Sequence, residues 1–341
     1  MAHLVVVSFR LGSTDGVSIE AQKWIDAFRL LGHQVTTVAG DGAADVIVRG
    51  LAIRSPDALD KDALSVALAA ADLVVVENMA SLPLNAAATE ALFELLDDRP
   101  ALFRHHDLAW QRPEGVASPP PRDRPPWRHV TINELSRREL RVRGVTAVTI
   151  HNAFDPDPPR GRREFARMAL DVTNERLFLL PTRAIVRKNV PGALNLAEEL
   201  NAVLWILGPA EDGYDEELTN VLSSATVAVR RGLRHDLDMH DAYAASDLVV
   251  MPSTWEGFGN PVLESVTHRR PLAVNPYPVL SEIRGFGFEF FDLDDRAGIA
   301  DYLERPRERL LDQNERLVRA HFNLSDLPGR LAPLLETWDL K

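Results

Sequence analysis

Two glutamates eight positions apart flank a glycine-bearing loop in residues 255–265, which read WEGFGNPVLES. The apolar residues 248–251 before it predict a strand ending near Pro252. Asn260 suits an N-cap and Pro261 a first helical position, so the spacing predicts a helix through residues 262–267. Gly257 and Gly259 let the backbone approach a ligand and turn its N–H groups inward. The helix N-terminus adds partial positive charge. The backbone of Gly257, Phe258, Gly259 and Asn260 is therefore suited to a diphosphate. Carboxylates would repel such a group, so Glu256 and Glu264 read better as hydrogen-bond acceptors for hydroxyls, as on a hexose and a ribose. Glu264 lies one turn into the helix, and helical side chains lean toward the N-terminus.

A second charged string, PTRAIVRKNVP, occupies residues 181–191. Arg183 and Lys188 follow a predicted strand at 177–180 and precede a predicted helix at 190–200, which places them where open parallel sheets bind ligands. Lys23, Lys61, Lys188 and Lys341 are the only lysines in an arginine-rich chain, so Lys188 stands out. A lysine supplies a compact point charge. Arg187 competes for the same role. Basic residues at a helix start run against the helix dipole, which disfavours a purely structural role. In the first half, Arg104 to Trp110 (RHHDLAW) follows a strand predicted at 101–103. His105 and His106 are neighbours at a strand end, so only one of them faces a site there.

On these residues the chain resembles the retaining glycosyltransferases of family 4, whose signature is Glu-x7-Glu around a Gly-Phe-Gly-like loop. The likeness is densest over residues 181–271. It implies a GT-B fold, with Glu256 on the donor sugar, Glu264 on the ribose, and Arg183 and Lys188 on the diphosphate. It implies that Gly232, Leu233 and Arg234 meet the nucleobase through backbone groups. It places a histidine, His106 with His105 as the alternate, near the donor sugar and β-phosphate. Gly16 fits the second glycine of a paired-glycine loop, while Asp15 departs from the first. The implied reaction moves a hexose from a UDP- or GDP-sugar to a hydroxyl acceptor with retention, by front-face attack assisted by the leaving diphosphate. It needs no metal or other cofactor. DxD-like strings at Asp155-Pro-Asp157 and Asp292-Leu-Asp294 sit in turn-like stretches and read as solvated loops. Rival readings on the same architecture are a sugar-nucleotide epimerase, a phosphorylase, or a non-catalytic nucleotide-sugar-binding protein.

The elements that must position these residues form an α/β pattern of strand–helix alternation that starts twice, which predicts two Rossmann-like domains with parallel sheets facing a central cleft. The turn-rich residues 155–163 divide them into an acceptor domain at 1–155 and a donor domain at 156–341, whose last helix could return to the first domain. Candidate acceptor ligands follow first-half strands: Glu77, Asn78, His105, Asp107 and Asn152, with residues 81–85 and Asn133 as weaker loop candidates. The proline-rich residues 112–127 read as a loop. A net charge of −12 argues against a nucleic-acid partner. The absence of cysteine fits a reducing compartment, the N-terminus reads as a buried strand, and no apolar run is long enough to span a bilayer. The expectation is a cytoplasmic enzyme with a soluble acceptor.

Overall fold

The structure, a computed structural model, describes residues 1–13, 15–112 and 118–340. The chain divides into two compact units, one made of Met1–Ala153 with the segment from Leu324 onward, the other of Phe154–Asn323. The sequence boundary at 155/156 falls two residues from the structural one, and the C-terminal segment belongs to the first unit.

The first unit holds a seven-stranded sheet. Its strands are β1 (His3–Leu11), β2 (Gln34–Gly42), β3 (Val46–Ile47), β4 (Leu73–Glu77), β5 (Ala101–His105), β6 (Trp127–Thr131) and β7 (Ala147–Thr149). Their order is β3-β2-β1-β4-β5-β6-β7, with parallel pairings throughout. Alternation along the strands explains the layers. Val5, Val7, Val74 and Val76 enter one apolar core, while Leu4, Val6, Leu73 and Val75 enter the other. The second core is closed by Trp24 and Phe28 of helix Gly16–Leu30 and by Leu327, Leu331, Leu334 and Leu335 of the C-terminal segment. Trp338 donates its indole N–H to the Pro126 carbonyl, which fastens that segment further.

The second unit holds a six-stranded sheet: β8 (Arg176–Leu180), β9 (Ala202–Ile206), β10 (Val229–Arg231), β11 (Leu248–Met251), β12 (Leu272–Val274) and β13 (Phe291–Asp292). The order is β10-β9-β8-β11-β12-β13, again with parallel pairings. Strand order reverses between β1 and β4 in the first sheet and between β8 and β11 in the second. Such reversals open a crevice beyond the carboxyl ends of the strands, where ligands bind.

Two strands depart from the sequence expectation. β6 lies at the end of a stretch read as loop, because His129 in its middle is polar yet buried. β13 takes in Asp292, which the sequence places in a turn-like, solvated stretch. Residues 113–117 of the proline-rich stretch lie outside the described residues.

Leu331 is fully buried in the core shared by the C-terminal segment and helix Gly16–Leu30. Leu331→Ala should cost about 2–5 kcal/mol in urea unfolding. A loss below about 1 kcal/mol would mean that the segment is not an integral part of this unit.

Candidate functional site

At the β8–β11 switch point, two loops are joined through one carboxylate. After β8 the chain makes a 3-10 turn at Val186–Lys188, and Asn189, at φ 50°, caps helix Val190–Glu199. After β11 the loop brings Glu256 back against that turn. Lys188 Nζ donates to Glu256 Oε1, and Arg187 Nη1 donates to Oε2 at 3.0 Å and to the Trp255 carbonyl at 2.9 Å. Lys188 and Glu256 are 7% and 6% exposed, so neither charge is solvated in the ordinary way. Burial works to raise the Glu256 carboxyl, but Lys188 and then Arg187 outweigh it and hold it down at about 2. Burial pushes the Lys188 ammonium below its usual value against the pull of Glu256, and Arg187 and Arg183 push the same way. Arg187, the competitor in the sequence reading, thus shares this centre with Lys188. Arg183 turns the other way, into a 2.6 Å ion pair with Glu211, and stays partly exposed.

The loop ends at a helix start shifted one residue from expectation. Gly259, at φ 86°, is the N-cap, and helix Asn260–Thr267 begins at Asn260. A side chain at Gly259 would collide with the Tyr277 hydroxyl, which donates to the Phe258 carbonyl at 2.9 Å. Glycine is thus required here by conformation and by space. The Phe258 ring is buried beside Phe154 and Phe322, leaving its backbone N–H as what it can offer a ligand. Glu264 accepts a 2.7 Å hydrogen bond from Tyr243, a buried tyrosine stacked on His268. Burial and then the Glu264 charge push the Tyr243 phenol well up, so it remains a donor. Gly232 follows β10 at φ 76°; its N–H donates to the Ile206 carbonyl and its own carbonyl accepts from the Trp205 indole N–H. Leu233 is exposed, and the Arg234 side chain pairs with Asp236 of its own loop.

The first unit has its own buried polar centre at the β1–β4 switch point. Arg104, with no exposed surface, lies 3.4 Å from both Glu20 and Glu77, donates to Asn152 at 3.1 Å, and covers the Trp24 ring at 4.2 Å. Glu77 accepts from His106 Nε2 at 2.9 Å. Burial works to raise the Glu77 carboxyl, but Arg104 and His106 hold it ionised, below its usual range. Asn78, at φ 56°, accepts from the His106 and Asp107 backbone N–H groups, so it fixes the turn after β5. Asp107 pairs with Arg112 at 3.1 Å. Glu77, Asn78 and Asn152 thus sit behind His106 as its framework. Asp15 caps helix Gly16–Leu30 by accepting from Val17 and Ser18, and open space surrounds Gly16. Asn85 and Asn133 are helix caps.

His105 and His106 part ways. His105 stacks on His129 of β6 and shares a 3.0 Å hydrogen bond with it, wholly buried. Arg104, Glu20 and Tyr243 went unnoticed as site residues. Arg104 stands in the quoted RHHDLAW string, whereas nothing local marks Glu20 or Tyr243. Among the DxD-like strings, Asp157 pairs with Arg319 and Asp292 with Arg284.

Residues 184–305 match the family model described as glycosyl transferases group 1. The matched residues lie within the second unit. The chain is similar to mannosylglucosylglycerate synthase of Petrotoga mobilis, with 25% identity over 86% of each chain. It is also similar to the enzyme of the same name from Thermotoga maritima, with 27% identity over 90% of this chain and 88% of that one. Among solved structures, Anabaena HepE with UDP and glucose superposes with a TM-score of 0.79 at 14% identity, covering 99% of this chain and 100% of that one. Sucrose-phosphate synthase of Thermosynechococcus elongatus gives 0.75 at 14% identity, with 99% of both chains covered. These structural likenesses show the fold, the GT-B arrangement of two Rossmann-like units.

The His105–His129 pair carries a pH signature. Burial pushes both rings down, His105 well below its usual value and His129 to about 4 despite the opposing pull of Asp123. Both are neutral when folded, while the unfolded chain takes up protons near pH 6.5. Their contribution is therefore complete above about pH 6.5 and declines as pH falls toward 4. The drop in urea midpoint between pH 7 and pH 5 should shrink in His129→Phe. An unchanged drop would contradict this reading.

Proposed function

We propose that the chain is a retaining glycosyltransferase that moves a hexose from a nucleoside-diphosphate sugar to a hydroxyl of a small soluble acceptor. The observation that carries the reading is the buried Lys188–Glu256–Arg187 centre at the β8–β11 switch point, inside the matched domain. A carboxylate held ionised by two cations is a strong acceptor for sugar hydroxyls, and the cations meet an incoming diphosphate. When the anomeric carbon–oxygen bond breaks, negative charge collects on the departing diphosphate. Lys188, Arg187, Arg183 and the N-terminus of helix Asn260–Thr267 supply fixed positive charge to stabilise it. Because the chain provides that charge, the reading needs no metal.

Front-face attack follows from the same set. The acceptor hydroxyl adds on the face the diphosphate leaves, the leaving oxygen takes its proton, and configuration is retained. Gly257 and Gly259 bring backbone N–H groups to the phosphates, Asn260 begins the helix behind them, and Glu264 faces the ribose. Leu233 and Arg234 offer backbone groups to the base. Gly16 leaves room for the donor, and His106, oriented by Glu77, hydrogen-bonds near the transferred sugar. Asp107, partly buried beside His106, is the nearest acceptor-side candidate. Similarity over 86% and 90% of the chain to two mannosylglucosylglycerate synthases makes glucosylglycerate a first acceptor to try. A chain without cysteine suits a reducing compartment, consistent with a cytoplasmic site of action. No helix among the described residues is long and apolar enough to cross a membrane.

The test is product analysis by NMR with UDP- and GDP-sugars, with and without glucosylglycerate, in the presence of EDTA. The expected product keeps the donor's anomeric configuration. Glu256→Gln and Lys188→Ala should each lower kcat at least ~100-fold while circular dichroism stays native-like. Inverted product, donor epimerised without acceptor, or full turnover in either variant would refute the reading.

A further inference from the structure

The second unit has a cavity of about 840 Å³ that the donor reading does not use. It lies at the opposite ends of the same central strands. Arg176 opens β8, Asp247 immediately precedes β11, and Pro271 immediately precedes β12, and all three line the cavity. Lys188 and Glu256 follow the far ends of β8 and β11. At ~3.3 Å per residue, strands of four or five residues separate the two places by roughly 15 Å.

The floor of this cavity carries more positive charge than its carboxylate can balance. Asp247 accepts from Arg163, from Arg167 at 3.2 Å and from the Leu177 backbone N–H at 2.8 Å, so its oxygens are fully engaged. Arg270 is the third guanidinium on the floor; Arg176 and Arg269 also line the cavity, but they pair with Glu304 and with Glu308, Asp312 and Glu315 respectively. Its Nη1 makes a long 3.4 Å contact to the Ser246 carbonyl, and its buried Nε has no partner among the described residues. Among the described residues it pairs with no carboxylate. The other acids on the wall, Glu164, Glu175 and Glu308, are exposed at the rim; Glu308 pairs with Arg269 and Glu175 accepts from the Thr173 and Asn174 N–H groups, and solvent weakens what is left of their field without cancelling it. Burial, and then repulsion from Arg163, push the Arg270 guanidinium below its usual value, the direction expected of a cation short of counter-charge.

The arginines are also fixed in place. Arg163 donates to the carbonyls of Ala244, Ala245 and Ser246, and Arg167 to those of Ala245 and Glu175. Guanidiniums held by backbone carbonyls stay in place as fixed charges when a ligand arrives, and the planar fork of Arg270, the least engaged of the three, can match phosphate oxygens. We propose that this cavity binds a phosphorylated small molecule, with Arg163, Arg167 and Arg270 as its phosphate receptor. Two positive charges in excess of Asp247 match a phosphate dianion, and the cavity has room for an attached sugar-sized group.

Isothermal titration at fixed ionic strength, with inorganic phosphate and glucose 6-phosphate as separate probes, tests the site on the full chain. At least one probe should bind the wild type and bind Arg270→Gln at least ~10-fold more weakly. Lys188→Ala should bind it as the wild type does, which separates this site from the donor loops. Asn174→Asp, an exposed rim change that leaves the fold alone, should weaken binding by about threefold at low salt. Tighter binding of glucose 6-phosphate would identify a sugar phosphate, and equal or tighter binding of phosphate the free anion. Lack of binding by both probes, undiminished binding in either cavity variant, or loss of binding in Lys188→Ala would overturn the proposal.

Discussion

The buried Glu256 carboxylate is the constraint around which the second unit is arranged. An isolated ionised carboxylate in that position would pay several kcal/mol in lost hydration. It is tolerable because Lys188 and Arg187 reach it from a different loop, 68 and 69 residues earlier in the chain. Both loops must therefore leave neighbouring strands at the same sheet edge, which the β8–β11 pairing secures through Leu248 opposite Phe178 and Val249 opposite Leu179. The fully buried strands are what make the edge rigid. The ion centre in turn fixes the path of the loop that ends at Gly259.

The first unit repeats this logic with the signs exchanged. There the buried cation is Arg104, and Glu20 and Glu77 balance it. Glu77 stands at the end of β4 and Glu20 on the helix that follows β1, so the network again bridges a reversal of strand order. His106 is the outermost member of that network. Its orientation depends on Glu77, and its backbone on Asn78. Removing Glu77 would leave Arg104 buried with half its counter-charge, so a change there disturbs the framework before it disturbs any ligand.

Much of this was legible in the sequence because the relevant signals are local. The central valines and leucines announce strands, and residues 255–265 announce a glycine loop opening a helix. What was not legible depends on distant residues. β6 carries His129, a polar residue that becomes a core residue only by stacking on Phe103 and pairing with His105. The helix start moved from an Asn260 cap to a Gly259 cap because Tyr277, eighteen residues on, fills the space where a side chain would sit. That Arg187 shares the centre with Lys188 while Arg183 pairs elsewhere depends on the positions of Glu256 and Glu211. Glu77, Asn78 and Asn152 look like exposed loop ligands in isolation, yet Arg104 and the backbone after β5 draw them inward.

The central claim is that the Lys188–Glu256–Arg187 centre receives a nucleoside diphosphate. Its most direct test is calorimetric titration of UDP and GDP into the wild type and Lys188→Met. At least one nucleotide should bind the wild type and lose ~10-fold or more in affinity when the ammonium is removed, as expected for one charge-assisted phosphate contact. Equal affinity in the two proteins, or no binding of either nucleotide to the wild type, would contradict the account.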